Sequence, residues 1–148
     1  MYGVQSSTST GDALIHKIVS LFQKKGVEAK EEAYAEKSTD LERIVAFIAQ
    51  EKPYIQVSFT LHDISQGLNI PYIRVINCFN KQLNTSFPVY RNKLRVAHAI
   101  SLLREGAHLN TSIEGIAEMS GFKSKSIFYT AFKEEYGMTP TEWIKENL

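Results

Sequence analysis

The sequence, 148 residues long, predicts an all-α fold in which two helix-turn-helix lobes are joined by a central linker helix. Three observations support this prediction. Apolar residues recur at the spacings of amphipathic helices, and no segment has an equally strong alternation typical of a strand. A short helix-turn-helix pattern occurs twice, about fifty residues apart. The segment between the two copies carries apolar stripes on two sides, as expected of a helix packed between two lobes.

Composition excludes several classes of protein. Apolar residues make up 43% of the chain and charged residues 22%, which is typical of a globular protein. The single cysteine, Cys78, excludes an internal disulfide and a cysteine-rich zinc site. No apolar stretch is long enough to span a bilayer, and residues 1–11 lack the pattern of a secretory signal. We therefore expect a cytoplasmic protein.

We predict a domain boundary near residue 39. Residues 1–38 are expected to form an N-terminal arm or linker, partly helical or disordered. The start of this arm is rich in serine, threonine and glycine, and apolar residues within 13–25 follow a helical spacing. The rest of the arm is charged and rich in alanine. Residues 39–148 are expected to form the folded domain.

The first lobe is predicted to contain three helices. The first begins near Asp40 and ends before Pro53, because a proline disfavours helical backbone in the residue before it. Thr60 caps a short second helix, which residues 67–69 end. The third helix covers 71–81, with a proline at its first position. Its inward residues are Val75, Cys78 and Phe79.

The linker helix and the second lobe follow. A helix over 88–104 is about 25 Å long at 1.5 Å per residue. The second lobe then repeats the pattern, with a short helix over 112–119, a turn at Ser120 and Gly121, and another helix capped by Ser124. The inward residues of that helix are Phe128, Ala131 and Phe132.

The net charge and the distribution of charge along the chain point to different partners. The net charge of +1 argues weakly against a nucleic-acid partner. However, nine of the ten lysines and arginines within 55–148 lie in the segments 71–81, 88–104 and 121–133, and all eight acidic residues lie outside these segments. Such segregation is typical of a surface that faces phosphates. A solvated basic face without a partner is the alternative explanation.

A specific set of residues occurs at fixed spacing in the linker and the second lobe. In the linker it comprises Tyr90, Asn92, Leu94, Arg95, Val96, Ala99, Leu102 and Leu103. In the second lobe it comprises Ile113, Ile116, Ala117, Gly121, Phe122, Ser124, Ser126, Phe128, Phe132, Lys133, Gly137, Met138, Thr139, Pro140 and Trp143. With these residues the chain resembles the AraC/XylS family of transcriptional regulators over about residues 39–147. The resemblance implies a double helix-turn-helix domain that binds double-stranded DNA sequence-specifically and controls transcription, often through contact with RNA polymerase.

Under this resemblance, two recognition helices enter successive major grooves about 34 Å apart. The predicted base-reading residues face away from the cores: Tyr72, Ile73, Ile76, Asn77 and Asn80 in the first lobe, and Lys125, Ser126, Tyr129 and Thr130 in the second. Isoleucine suits the thymine methyl group and asparagine suits adenine; packing against the neighbouring lobe is the alternative for the isoleucines. Phosphate contacts are predicted for Arg74, Arg91, Arg95, Lys123 and Lys133.

Two residues depart from the family pattern. Family members commonly carry arginine where this chain has Asn77 and Thr130. Because arginine is the usual bidentate reader of guanine, we expect this protein to prefer A/T-rich sites and to bind them less tightly than its relatives do.

Other functions have less support in the sequence. Cys78 is predicted to be a buried thiol, and the histidines His16, His62, His98 and His108 lack ligand spacing, so we expect no enzyme activity and no metal, cofactor or small-molecule site. A protein-interaction module with little DNA affinity stays open, because the net charge is small and the two arginines are absent. The arm is too short for the sensor or dimerisation domain of many relatives. The chain is therefore either a stand-alone regulator or the C-terminal fragment of a larger one. The abrupt start and the partial amphipathic helix within 13–25 favour the fragment, and attachment of the larger protein to a membrane stays open.

Overall fold

A computed structural model describes residues 38–148. Its seven α-helices are α1 (Asp40–Glu51), α2 (Leu61–Leu68), α3 (Tyr72–Asn77), α4 (Phe87–Arg104), α5 (Ile113–Met119), α6 (Lys125–Tyr136) and α7 (Pro140–Asn147). Short 3-10 turns occur at Pro53–Ile55 and Ala107–Leu109. No strand occurs within residues 38–148, and the predicted all-α class is confirmed. The helix predicted over 13–25 lies outside the described residues.

Serine and threonine side chains define where several helices begin. The Ser124 hydroxyl accepts a hydrogen bond from the backbone N–H of Ile127 at 3.2 Å, which confirms the predicted cap of α6. The backbone N–H of Thr60 donates to the carboxylate of Asp63 at 2.7 Å at the start of α2. Both bonds satisfy donors that a helix end leaves without an intrahelical partner.

Three helix starts differ from the prediction by one residue. The helix predicted over 112–119 begins at Ile113, because Ser112 is its cap. Pro71 precedes α3 and does not open it, because its ψ of 134° is that of extended backbone. The linker helix α4 begins at Phe87, one residue earlier than predicted. The reason is the cap, since the Ser86 hydroxyl accepts from the N–H of Val89 at 3.4 Å.

The third helix of the first lobe is regular for only six residues. It continues as a π-helix over Cys78–Gln82, in which the N–H of Leu83 donates to the carbonyl of Cys78 at 2.9 Å. The segment 71–81 was predicted as a single α-helix, and this part of the prediction is corrected. The wider π turn changes the direction in which Asn80 points relative to α3.

The buried apolar side chains form two separate cores. The first core is built by α1 to α3, the π-helix and the first half of α4, and the second by the second half of α4 with α5 to α7. From α4, the first core receives Phe87, Tyr90 and Leu94, whereas the second receives Val96, Ala99, Ile100 and Leu103. The predicted packing of the linker helix on two sides is confirmed.

Candidate nucleic-acid interface

The first helix-turn-helix unit consists of α2, a tight turn and α3. Asn69 ends α2 in the left-handed conformation, with a φ of 52°, which asparagine tolerates better than most residues. The Ser65 hydroxyl donates to the carbonyl of Ile70 at 2.7 Å across the same turn. The predicted break at 67–69 is confirmed, and the turn leaves the start of α3 at the surface.

The start of α3 presents two predicted base-reading residues to solvent. The Tyr72 ring stacks on the imidazole of His62, with ring centroids 4.4 Å apart and planes inclined by 16°. Ile73 is 62% exposed. Its side chain is therefore not packed against the other lobe, and an uncovered apolar group remains at the beginning of the helix.

The other three predicted reading residues of the first lobe differ in exposure. Ile76 and Asn77 are half-buried, whereas Asn80 is exposed on the π-helix. Cys78, beside Asn77, is 1% exposed, and burial raises the pKa of its thiol. The prediction that Cys78 is a buried thiol is confirmed.

The second unit, α5–turn–α6, holds its first reading residues through side-chain contacts. Lys125 Nζ lies 2.5 Å from Glu114 Oε1 of α5 and 5.4 Å from the ring centroid of Tyr129. The hydrogen bond between Lys125 and Glu114 raises the pKa of the lysine and lowers that of the carboxyl. The Tyr129 and Thr141 hydroxyls are 3.2 Å apart. Lys125 and Tyr129 therefore contact other side chains within the second lobe.

A groove of about 250 Å³ separates α6 from the linker helix. Its walls include Ser126, Ile127 and Thr130 of α6 and Asn92 of α4. The Thr130 hydroxyl donates to the carbonyl of Ser126 at 3.0 Å, which leaves its oxygen free to act as an acceptor. Ile127 is 46% exposed and was not among the predicted reading residues. It lies on the flank of α6, between the inward and outward faces, so the helical spacing of the sequence did not assign it to the outward face.

Arg74, predicted to contact phosphate, is engaged by an acidic residue of the first lobe. Its Nη2 and Nε atoms lie 2.6 and 2.7 Å from Asp40 Oδ2 at the start of α1. The Arg74 side chain is nevertheless 60% exposed. Its guanidinium is thus at the surface, with its charge partly offset inside the protein.

Arg91, Lys123 and Lys133, also predicted to contact phosphates, differ in their exposure and in their partners. Arg91 is half-buried, donates from Nη1 to the carbonyl of Phe59 at 3.0 Å, and has its pKa lowered by burial. Lys123 and Lys133 are exposed and form no ion pair within the described part of the chain.

Arg95 requires a correction, because it does not lie at the surface. It is 4% exposed, and its Nε donates to the carbonyl of Tyr54 at 2.6 Å while Nη2 donates to that of Gln56 at 2.8 Å. Burial lowers the pKa of Arg95 to about 10. The predicted phosphate contact for this residue is wrong, since its guanidinium is turned into the protein and satisfied there.

Comparison with known proteins identifies the family. A family model described as a helix-turn-helix domain matches residues 64–146, which is more than half of the chain and covers the first helix-turn-helix unit from within α2 and the whole of the second. The chain belongs to the AraC-type helix-turn-helix family. DNA binding and regulation of transcription are the activities of this family, whose members are transcriptional regulators and not enzymes.

Three curated relatives are similar over most of this AraC-type domain. The HTH-type transcriptional activator RhaR of Mannheimia succiniciproducens is 26% identical over 105 residues, which cover 71% of this chain and 37% of the relative. The melibiose operon regulatory protein of Escherichia coli is 27% identical over 103 residues, which cover 70% of this chain and 32% of the relative. The lactose operon transcription activator of Staphylococcus xylosus is also 27% identical, with 70% and 35% covered. The chain spans about a third of the length of these relatives.

Two solved structures are similar to the AraC-type domain. The C-terminal domain of AraT, a response regulator from Geobacillus stearothermophilus, has a TM-score of 0.64 and 26% identity over 75% of this chain and 88% of that one. A protein of unknown function from Listeria innocua has a TM-score of 0.65 and 22% identity over 75% and 100% of the two chains. The second likeness concerns the fold alone.

The three-dimensional fold partly cancels the charge segregation along the sequence. Three of the nine basic residues in the basic segments form ion pairs with acidic residues from elsewhere: Arg74 with Asp40, Lys93 with Glu135, and Lys125 with Glu114. The surface charge available to phosphates in this AraC-type domain is therefore smaller than the sequence count indicates.

Two further properties of the described residues bear on partners. No helix within residues 38–148 combines the length and apolar character that a membrane span requires. The same stretch contains no cluster of three or more histidine, cysteine or acidic side chains able to hold a metal ion.

Proposed function

We propose that this chain binds an asymmetric duplex site by inserting α3 and α6 into successive major grooves on one face of the DNA. The observation that carries the proposal is that two helix-turn-helix units, each with an exposed second helix, are mounted on one linker helix. The linker of 18 residues is about 27 Å long, shorter than the roughly 34 Å between successive grooves. An outward splay of the lobes or bending of the DNA toward the protein makes up the difference; the alternative is that only one helix inserts fully. Bending costs a free energy on the order of 1–6 kcal/mol that depends on sequence.

In the first half-site, apolar and amide side chains read the bases. Ile73 and Ile76 contact thymine methyl groups, and Asn77 and Asn80 pair with adenine N6 and N7. The exposure of Ile73 supports this role, because contact with a thymine methyl group removes its apolar surface from water, which is favourable. Tyr72, held against His62, contributes to the same surface.

In the second half-site, Lys125, Ser126, Tyr129 and Thr130 read the bases, and we add Ile127 to this set. The Thr130 hydroxyl gives its proton to the carbonyl of Ser126, so its oxygen accepts from adenine N6 and does not donate to the guanine acceptors O6 and N7. Ile127 lies in the same groove as Ser126 and Thr130, within reach of a thymine methyl group.

Base preference follows from the same residues. Guanine offers two acceptors in the major groove, O6 and N7, and arginine is the side chain that best donates to both. With Asn77 and Thr130 at the two positions where relatives commonly have arginine, we propose a preference for A/T-rich half-sites. Arg74, Arg91, Lys123 and Lys133 contact phosphates, which position the protein without specifying sequence.

Protein partners are proposed from the family. RNA polymerase is the partner expected of a transcription activator, and two relatives are named as activators. A sensor or dimerisation domain outside this chain is the second proposed partner, since the relatives are about three times as long as the part they share with it.

Selection from random duplex DNA with the purified chain tests the proposed function, followed by titration of the winning site across salt concentrations. We expect two A/T-rich blocks about one helical turn apart, bound with an affinity that falls steeply as salt rises. Blocks dominated by guanine would contradict the proposed preference. An absence of enrichment even at low salt would instead mean that this chain needs the proposed partner domain in order to bind, or that it is a protein-interaction module. The three ion pairs at basic residues favour the second explanation.

A further inference from the structure

The junction between the two lobes contains polar and small residues where a shared core would otherwise lie. Along α4, the first core ends at Leu94 and the second begins at Val96. Arg95, between them, is 4% exposed. No apolar cluster of the described residues spans both lobes, so besides the continuous helix α4 the contacts of Arg95 link one lobe to the other.

Arg95 joins three parts of the molecule. From α4, its guanidinium reaches the first lobe, where the carbonyls of Tyr54, Gln56 and Val57 lie 2.6, 2.8 and 3.4 Å from its nitrogen atoms. A planar guanidinium with several donors suits such a group of acceptors better than an ammonium does. On the side of the second lobe, its Cζ lies 5.9 Å from the ring centroid of Phe122.

Gly121 completes the junction from the second lobe. Its φ of 90° lies in the region that favours glycine. A Cβ at this position would lie 2.4 Å from the carbonyl oxygen of Tyr54 and 2.9 Å from Arg95 Nε. The turn of the second helix-turn-helix unit therefore lies directly against the first lobe, at a distance that no larger residue permits.

We propose that Arg95, Gly121 and the carbonyls of residues 54–57 fix the separation and rotation of the two recognition helices, and thereby select the number of base pairs between the two half-sites. Arg95 is a positioning residue in this role, since it acts through the lobes and not through DNA. The inference rests on the proposed function, because it requires α3 and α6 to bind one duplex together.

The geometry of DNA makes spacing a strong constraint on a rigid protein. One inserted base pair rotates one half-site relative to the other by about 34° and moves it by about 3.4 Å. A rigid protein follows only if the DNA twists or bends, which weakens binding by on the order of tenfold or more. A protein with a loose junction rotates its own lobes and tolerates the change.

A pair of glycine substitutions in the full chain tests the inference. Gly121→Ala pushes a methyl group into the junction without altering a predicted DNA contact. Gly137→Ala is the matched control, because its φ of 70° imposes a similar backbone strain while the added Cβ meets nothing within 4 Å. Affinity is measured for duplexes whose half-sites have the selected spacing or one or two base pairs more or fewer. Thermal unfolding establishes that each variant is folded.

We expect the wild type and Gly137→Ala to lose about tenfold in affinity when one base pair is inserted, whereas Gly121→Ala moves its optimum or loses about threefold or less. A folded Gly121→Ala with the wild-type optimum and steepness overturns the inference. So does a wild type that needs both half-sites but binds all spacings equally. A wild type that does not need both half-sites overturns the proposed function, which is a separate and distinguishable result.

Arg95 provides a second test if Gly121→Ala does not fold. Arg95→Lys keeps the charge but replaces the fork of donors by one ammonium group, and Arg95→Met removes both. A positioning role predicts that tolerance of altered spacing increases from the wild type to Arg95→Lys to Arg95→Met. Lys133→Gln is the control, since loss of a phosphate contact lowers affinity equally at all spacings. Folded Arg95 variants with lower thermal stability and an unchanged spacing profile overturn the inference.

Discussion

Arg74 and Asp40 illustrate how a surface charge is partly used within the protein before DNA binds. Both Nη2 and Nε of Arg74 lie within 2.7 Å of one carboxylate oxygen, so the guanidinium is oriented by α1. The pair is exposed on the arginine side, which limits its contribution to stability. If Arg74 contacts phosphate as proposed, the pair has its greater effect on binding, because the carboxylate competes with phosphate for the same donors.

Removal of this competition is expected to strengthen DNA binding. In Asp40→Asn, no carboxylate offsets the charge of Arg74, which becomes fully available to a phosphate. The slope of the logarithm of the DNA-binding constant against the logarithm of salt concentration therefore becomes steeper by about one. The slope is measured by titration of the selected site at several salt concentrations. Glu51→Gln changes the net charge equally on the same helix without touching Arg74, and equal slopes for the two variants would contradict the proposed contact.

The base preference at the second half-site is expected to depend on residue 130. Thr130→Arg introduces a bidentate guanine reader, so selection from random DNA should recover guanine in the second block, with a discrimination of about 1–3 kcal/mol. Lys123→Arg serves as the control, since an arginine at a predicted phosphate contact adds no base preference. Guanine enrichment with both variants, or with neither, would contradict a reading role for Thr130.

At the scale of the element, most helices were predictable because their signals are local. The Ser124 cap and the proline after α1 act on neighbouring residues, and these boundaries agree with the structure. The π-helix over Cys78–Gln82 was not predictable, because no proline or glycine marks it in the sequence. Nor was the burial of Arg95, since its carbonyl partners come from residues about forty positions earlier. The same holds for the pairing of Arg74 with Asp40.

The cap of α6, the proposed recognition helix of the second lobe, is expected to affect both stability and DNA binding. Ser124→Ala leaves the N–H of Ile127 without its partner, so the free energy of unfolding should fall by about 0.5–2 kcal/mol. The reading residues of the first turn also lose order, which lowers affinity. Ser112→Ala removes the equivalent cap of α5, where the hydroxyl accepts from Gly115 at 3.1 Å. Denaturant unfolding measures the loss of stability of the two variants, and titration with DNA measures their loss of affinity. Ser124→Ala should lose more affinity than Ser112→Ala, and equal losses would contradict a role of the first turn of α6 in base reading.

At the scale of the whole molecule, His98 links stability to pH. It lies on α4 and faces the end of α1 and the following turn, with its ring centroid 6.4 Å from that of Tyr54. Burial lowers the pKa of its imidazole, and the charge of Lys52 adds to this effect while that of Glu105 opposes it. The unfolded chain therefore binds a proton more readily than the folded one does, so acid favours unfolding.

The free energy of unfolding is accordingly expected to be lower at pH 5.5 than at pH 7.5, because the unfolded histidine titrates near pH 6.5. His98→Gln should reduce this difference, whereas His62→Gln, at an exposed position, should leave it unchanged. Denaturant unfolding at the two pH values measures the effect. Equal pH dependence in the wild type and His98→Gln would contradict it.

The separation of the two cores also has a consequence for how such a protein changes over evolutionary time. Among the described residues, the two cores have no buried side chain in common, so a substitution that repacks one lobe leaves the packing of the other intact. Each lobe can therefore acquire new base preferences independently, and each half of an operator can diverge separately. Arg95 and Gly121 are more constrained, because their contacts with the backbone carbonyls of residues 54–57 cross the boundary between the lobes.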